Sequence, residues 1–269
     1  MPKNAIVVGM PRSGTSMTAS IFARIGYYCA DNDNSELRVG DQNNPFGYWE
    51  AASLIQSNAE VFSAVGFNPD NTWLYDAIAE HQAQAIEGLE KSPGHQQLIY
   101  DFDQNSPWMW KDPRLCYTLS YWWPLCDKAN TGVILIKRDP EEIYNSFVRV
   151  NWRNLTPADK RDTYDRINHH ISTAEKTIRD LTIPHVIVHY SDFKRSPEQT
   201  ASKIASFFDV KLTTQDLNFS EHLNHSSTRG RFATYIDLTI DCLPNTRLPH
   251  IKSLVPNWVM KKLYPERYL

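Results

Sequence analysis

The residues best suited to chemistry form a short loop, residues 9–16, directly after an apolar run, residues 5–8. Gly9 and Gly14 frame the loop, and Arg12 is its cation. The apolar run predicts a buried strand of a parallel sheet, and the residues after Gly14 predict the start of an amphipathic helix. Unpaired backbone N–H groups and the positive end of the helix dipole would then face the loop. This pattern predicts a phosphate-binding loop.

The loop departs at one position from the P-loop of nucleotide triphosphatases. That loop has the pattern G-x-x-x-x-G-K-[ST], to which Gly9, Gly14 and Ser16 conform, whereas Thr15 takes the place of the lysine. Because this lysine reaches the β and γ phosphates, its absence argues against triphosphate hydrolysis while the phosphate cradle stays intact. An ordinary tight connection between a strand and a helix is the alternative interpretation.

Alternating strands and helices are predicted to position the loop. After the first helix, a polar segment over residues 31–45 predicts a long loop. Periodicity predicts helices over about 50–65, 73–91, 140–150, 156–181 and 197–208, and strands over 108–110, 132–137 and 185–190. Glu50 falls in the first turn of its predicted helix, and Ser196 with Gln199 predicts a capping box.

This order of elements predicts one α/β domain over residues 1–269, with a central parallel sheet flanked by helices in three layers. The domain is expected to contain a helical and loop insertion over about 27–107 and a C-terminal extension over about 212–269. The net charge of −3 gives no electrostatic reason to expect a nucleic-acid partner.

The remaining compositional features concern the cellular compartment. The first apolar run is too short for a signal peptide or a membrane span, so we expect a cytoplasmic protein. Four cysteines without a CxxC pair or metal-ligand spacing predict reduced structural thiols and no metal site.

Two further groups of candidate residues follow predicted strands. Lys111, Asp112 and Arg114 come after one strand, and Arg138 comes after another. Because ligands bind beyond the carboxyl ends of parallel strands, we expect both groups beside the loop. A guanidinium is a permanently charged, planar donor suited to phosphate, and Ser146 on the following helix adds a neutral hydroxyl donor. A strand-end arginine and an exposed helical serine are the ordinary alternative.

Taken together, these segments resemble the sulfotransferases that use 3′-phosphoadenosine 5′-phosphosulfate (PAPS). The Pro-Arg-Ser-Gly-Thr-Ser loop resembles their 5′-phosphosulfate loop, and Arg138-Asp139-Pro140 with Ser146 resembles their 3′-phosphate motif. The segments Lys111-Asp112-Pro113-Arg114 and Tyr190-Ser191-Asp192-Phe193 also match. The resemblance spans residues 5 to about 210 and is strongest to bacterial members. It implies a P-loop-type fold, PAPS as the donor and no metal.

The resemblance also implies which residues bind the donor. They are Pro11, Arg12, Ser13, Gly14, Thr15 and Ser16 at the 5′-phosphosulfate, with Arg138 and Ser146 at the 3′-phosphate. The Arg-Lys-Gly clamp of many relatives is represented at best by Arg229-Gly230, which makes Arg229 a further cofactor candidate.

Four residues are predicted to take part in the chemistry (Arg12, Glu50, Asp112 and Lys111), and Arg114 is predicted to help bind the reacting groups. Arg12 is expected to stabilise the negative charge that builds on the departing 3′,5′-adenosine bisphosphate. The general base is predicted to be Glu50, because Gly-Tyr-Trp-Glu is similar to the Gly-Tyr-Phe-Glu segment of bacterial relatives. Asp112 is the second candidate, or else it caps the following helix. Lys111 and Arg114 are predicted to bind sulfuryl oxygens or an anionic acceptor, or to form ion pairs with Asp112.

Aromatic residues are the features of the sequence that concern the class of acceptor. Trp49 lies beside Glu50, and further aromatic residues concentrate in the insertion and the strand that follows it: Trp73, Tyr75, Trp108 and Trp110. Such rings either stack on a sugar or belong to the core.

The predicted function is transfer of a sulfuryl group to a hydroxyl of a carbohydrate or another small molecule. The alternatives are a P-loop kinase of small molecules and a non-catalytic nucleotide-binding module.

Overall fold

The computed structural model describes residues 3–31, 36–38, 40, 44, 47–68 and 78–217. The chain divides into two compact units, one from Met1–Asp139 and Asp165–Phe219, the other from Pro140–Tyr164 and Ser220–Leu269. The single domain predicted for residues 1–269 stays a prediction, since residues 218–269 lie outside the described part.

Four parallel strands form a sheet in the first unit, in the order β2-β1-β3-β4. Their bounds are β1 Asn4–Gly9, β2 Met109–Lys111, β3 Thr131–Lys137 and β4 His185–His189. In the register, Ala5 lies opposite Met109 on one side and Gly132 on the other. Because the strands are parallel, their carboxyl ends share one edge of the sheet. The predicted α/β class with a central parallel sheet is confirmed.

Helices connect the strands. Their bounds are α1 Thr15–Arg24, α2 Ala52–Ala64, α3 Glu80–Gly88, α4 Pro93–Asp103, α5 Leu115–Trp122, α6 Pro140–Arg149, α7 Pro157–Asp180, α8 Asp192–Arg195 and α9 Pro197–Phe208. Short 3₁₀ turns cover Trp123–Leu125 and Thr214–Leu217. Helices α2, α3 and α4 occupy the predicted insertion between α1 and β2.

Two apolar cores form on the two faces of the sheet. Ile6 and Val8 of β1 belong to one core, while Ala5 and Val7 belong to the other, as expected for alternating side chains on a buried strand. The first core contains aromatic rings that pack edge-to-face or at a tilt: Phe102 and Trp108 contact each other, Trp110 contacts both, and Trp122 contacts Trp110. Trp108 and Trp110 are therefore core residues, whereas Trp73 and Tyr75 lie outside the described residues.

Three local predictions differ from the structure. Helix α4 was not predicted, although the Ser92 hydroxyl accepts a hydrogen bond from the backbone N–H of His95 and Pro93 is its first residue. The predicted capping box at Ser196 is wrong, because its side chain makes no capping hydrogen bond to α9. Glu50 precedes α2 by two residues and is not part of its first turn.

Every helix within the described ranges is too short or too polar to span a lipid bilayer.

Candidate active site

The loop after β1 has a backbone that its glycines make possible. Gly14 precedes the first residue of α1 and has φ 102°, in the left-handed region that glycine tolerates without strain. A Cβ atom on Gly14 would overlap the ring of Tyr190. A Cβ atom on Gly9 would lie 2.8 Å from the carbonyl oxygen of Ile136. Close contacts therefore require glycine at both positions, and backbone conformation requires it at Gly14 as well.

The loop residues fit an anion. The first backbone N–H groups of α1 have no partners within the helix, and Gly14 at the N-cap has no side chain that could cap them. The first turn of α1 also contains no acidic residue. The hydroxyl of Ser13 is buried and makes no hydrogen bond within the part of the chain that the structure describes. A buried hydroxyl beside a row of N–H donors matches the acceptor oxygens of a phosphate group.

Arg138 lies against this loop. It follows β3, and its Nη1 donates a hydrogen bond of 2.9 Å to the carbonyl oxygen of Arg12. The guanidinium also stacks on Tyr190, with Cζ 4.1 Å from the ring centroid, and the same ring packs on Gly14. The structure therefore places the Arg138 side chain beside the backbone of Arg12 at the edge where the strands end. No separate role is predicted for Tyr190 from the sequence, although its position directly after β4 is a usable signal.

Two other candidates for donor binding are placed differently. Ser146 is in α6, in the second unit, where Nη2 of Arg149 lies 3.4 Å from its hydroxyl oxygen. Arg229 lies outside the described residues. The cofactor roles of Ser146 and Arg229 stay predictions.

A buried ion pair lies at the carboxyl end of β2. Lys111, the last residue of this strand, donates to one oxygen of Glu50, and both side chains are almost fully buried. The other oxygen of Glu50 accepts a hydrogen bond of 2.9 Å from Nη1 of Arg38. Burial alone would raise the pKa of the Glu50 carboxyl, but the charges and hydrogen bonds of Lys111 and then Arg38 outweigh it and lower this pKa. Glu50 is therefore ionised at neutral pH.

The segment that ends in Glu50 has an unusual backbone. Gly47 has φ 87° and Trp49 has φ 58°. The backbone N–H of Arg38 donates to the carbonyl oxygen of Glu50 at 2.9 Å, and Leu37 forms an antiparallel bridge with Ala51. Trp49 packs with its partly buried side chain against the second core. The position of Glu50 is thus fixed by a tertiary contact with residues 36–38, a contact that the sequence did not predict.

Asp112 has a different environment. It is fully buried and accepts hydrogen bonds from the backbone N–H of Arg114 at 2.9 Å, from Nη1 of Arg114 at 3.0 Å and from Nδ2 of Asn58 at 3.0 Å. Oδ1 of Asn58 in turn accepts hydrogen bonds from the side chains of Thr118 and Trp122. Asp112 and Arg114 therefore form the ion pair that was one of the alternatives for these residues.

Cationic residues from three neighbouring strand ends share one edge of the sheet. Lys111 ends β2, Arg12 is in the loop after β1, and Arg138 follows β3. Such an arrangement can bind a multiply charged anion and can stabilise negative charge that develops during group transfer. Among the described residues, no group of three or more His, Cys, Asp or Glu side chains is placed to hold a metal ion.

A family model and several solved structures match this chain. Residues 4–214 match the model of the Sulfotransferase family. The chain is similar to the sulfotransferase domain from the Synechococcus PCC 7002 olefin synthase, with 18% identity, 86% of this chain and 82% of that chain covered, and a TM-score of 0.47. It is also similar to sulfotransferase STF1 from Mycobacterium tuberculosis H37Rv, with 14% identity, 84% and 74% covered, and a TM-score of 0.47. A search of curated proteins gives no match.

Proposed function

Since the chain belongs to the sulfotransferase family, we propose that it transfers a sulfuryl group from PAPS to a hydroxyl group of a carbohydrate or another small molecule. Family membership supports sulfuryl transfer in general, and the donor and the acceptor class are the added parts of the proposal. The observation that supports PAPS most is the loop after β1, where the buried hydroxyl of Ser13 and the first N–H groups of α1 fit a phosphate beside Arg12.

The donor is proposed to lie along the loop and the end of β3. The residues assigned to its 5′-phosphosulfate are Pro11, Arg12, Ser13, Gly14, Thr15 and Ser16. Those assigned to its 3′-phosphate are Arg138, Ser146 and Arg229. The contact between Arg138 and the carbonyl oxygen of Arg12 supports a donor that extends from the loop to the end of β3, because it holds a second guanidinium beside the loop, where one doubly phosphorylated molecule can reach both.

The proposed chemistry needs positioning and charge stabilisation more than covalent catalysis. PAPS supplies the activated sulfuryl group, and 3′,5′-adenosine bisphosphate is the product that leaves. Arg12 and the N–H groups of the loop are assigned to the negative charge on the departing bridging oxygen. Lys111 offers an ammonium group at the end of the strand next to the loop, where it can donate to a sulfuryl oxygen. Trp49 and Arg114 stay candidates for contacts with the acceptor.

The general base is proposed to be Glu50, with Asp112 as the second candidate. The lowered pKa keeps Glu50 ionised, which is the form that accepts a proton, and one of its two cation contacts must open for it to act. Asp112 already accepts several hydrogen bonds in a fully buried site, which makes it the less accessible carboxylate. Glu50→Gln is expected to lower turnover with little change in bisphosphate affinity. Near-normal turnover would move the base role elsewhere.

Transfer of radiolabelled sulfate from PAPS to a metabolite extract tests the proposed function, followed by identification of the labelled product. The expected result is label on a hydroxyl compound and release of 3′,5′-adenosine bisphosphate. Tight binding of the bisphosphate without transfer to any acceptor would instead indicate a non-catalytic module. Magnesium-dependent phosphoryl transfer from ATP would indicate a kinase despite the threonine at position 15.

A further inference from the structure

The cluster around Glu50, made of Arg38, Tyr48, Glu50 and Lys111, is not electrically balanced. Two cations share one carboxylate, so two positive charges and one negative charge leave a formal excess of one positive charge. The side chains of Lys111 and Glu50 are each 3% exposed, whereas that of Arg38 is 45% exposed. The excess charge is therefore presented to solvent by the guanidinium of Arg38.

The guanidinium of Arg38 is held in place before any ligand binds. Its Cζ lies 4.0 Å from the centroid of the buried Tyr48 ring, and its Nη1 is fixed by Glu50. Glu50 is its side-chain hydrogen-bond partner among the described residues, which leaves further N–H donors on its exposed side. Arg114 differs, because its side chain is 16% exposed and is paired with Asp112. A fixed, half-exposed guanidinium on an aromatic ring is suited to a carboxylate or a sulfate.

The order of the strands indicates whether the donor or the acceptor binds beside this cluster. β1 lies between β2 and β3, so Lys111 and Arg138 are on opposite sides of the loop. A donor that contacts Arg12 and Arg138 occupies the β1 and β3 side of this edge. Lys111 and, through Glu50, Arg38 lie on the β2 side, which is left for the acceptor. This step rests on the proposed function.

We infer that Arg38 binds an oxyanion of the acceptor, a carboxylate or an existing sulfate ester, so that the preferred acceptor is a hydroxylated anion. Glu50, in addition to its proposed role as the base, holds the exposed guanidinium of Arg38 beside the buried ammonium of Lys111. Contact with Arg38 therefore orients the acceptor relative to Lys111, which is the group assigned to the sulfuryl oxygens. Neutral sugars lack this contact and bind more weakly.

Calorimetric binding tests the inference without requiring turnover. The probes are glucuronate, glucose 6-sulfate and glucose, each added to the full-length protein saturated with 3′,5′-adenosine bisphosphate. The wild-type protein is expected to bind both charged sugars about 10-fold or more tightly than glucose. Arg38→Gln should remove this preference, and Arg38→Lys should keep part of it because the charge remains. Preference for only one charged sugar would identify the oxyanion that the site accepts.

The control is Arg179→Gln on α7, because Arg179 is also exposed and also contacts a carboxylate, Asp180. This variant should keep the full preference for charged sugars, and thermal unfolding should show that the Arg38 variants remain folded. The inference is overturned if wild-type protein binds the three sugars equally or binds none of them, or if Arg38→Gln keeps the preference. With PAPS and a charged acceptor, Arg38→Gln should raise KM with little change in kcat.

Binding of the bisphosphate is measured first, so that the proposed donor and the proposed anion site at Arg38 are tested separately. Protein that fails to bind the bisphosphate refutes the proposed donor. A preference for charged sugars that depends on Arg38 still supports the anion site in that case. Protein that binds the bisphosphate and sulfates neutral and charged acceptors alike refutes only the role of Arg38.

Discussion

Glu50→Gln is the substitution that probes most of the site at once, because it removes the carboxylate shared by Lys111 and Arg38. The glutamine keeps the shape of the side chain and one oxygen that can accept a hydrogen bond from Lys111. It leaves the ammonium of Lys111 buried without an opposing charge. The structure therefore predicts a loss of stability in addition to any loss of turnover.

The size of this loss follows from burial. Breaking a buried ion pair by removing one partner costs about 3–5 kcal/mol, and the retained hydrogen bond places the cost near the lower end. The contact with half-exposed Arg38 adds less than about 1 kcal/mol. For a domain of this size, about 3 kcal/mol lowers the melting temperature by roughly 6–12 °C.

Thermal unfolding by calorimetry measures this loss, with Glu87→Gln as the control, because Glu87 is exposed on α3. The control should unfold within about 2 °C of the wild-type protein. A double variant, Glu50→Leu with Lys111→Met, removes both charges and should be more stable than Glu50→Gln. If Glu50→Gln melts as the control does, the pair is not a desolvated ion pair and the reasoning about the site is wrong.

Three further outcomes are expected. The pKa of Glu50 is lowered in the folded protein, so its ionised carboxylate contributes fully to stability above the ordinary pKa of 4.5. This contribution is lost as the pH falls through the folded-state pKa. The unfolding free energies of the wild-type protein and Glu50→Gln should therefore converge in acid. Gly14→Ala should abolish bisphosphate binding and cost about 1–3 kcal/mol more than Gly26→Ala in unfolding experiments, because both have positive φ but only Gly14 contacts Tyr190. Arg138→Ala should weaken binding of 3′,5′-adenosine bisphosphate by about 10- to 100-fold in calorimetry and that of 5′-AMP much less, whereas equal losses would remove Arg138 from the 3′-phosphate.

The sequence predicted the elements whose signals are local. The strands at 132–137 and 185–190 are found within one residue of their predicted ends, because β-branched runs of this kind form buried strands in most contexts. Helix α4 has no counterpart among the predicted helices, because a proline two residues after the predicted helix over 73–91 is typical of a helix that has just ended, whereas Pro93 is the first residue of α4. Proline is compatible with both positions, and only the capping hydroxyl of Ser92 distinguishes them.

The phosphate-binding loop can be predicted from the sequence, whereas the cluster around Glu50 beside it cannot. A phosphate-binding loop is encoded in consecutive residues, since the strand, the glycines and the helix start are contiguous from Asn4 to Arg24. The cluster around Glu50 joins segments that are far apart in sequence, with Lys111 following Glu50 by 61 positions. Its backbone geometry depends on the bridge between Leu37 and Ala51, which no local pattern announces.

Charge balance nevertheless limits the possibilities for such a cluster. A lysine at the end of a buried strand requires a partner, because a desolvated ammonium without one is strongly unfavourable. Asp112 is a poor partner for Lys111, since successive side chains leave a strand on opposite sides, and Asp112 is found with Arg114. The partner must then come from another segment, and Glu50 supplies it. One carboxylate can neutralise one of its two cations, so the second cation must remain near water, which is where Arg38 lies.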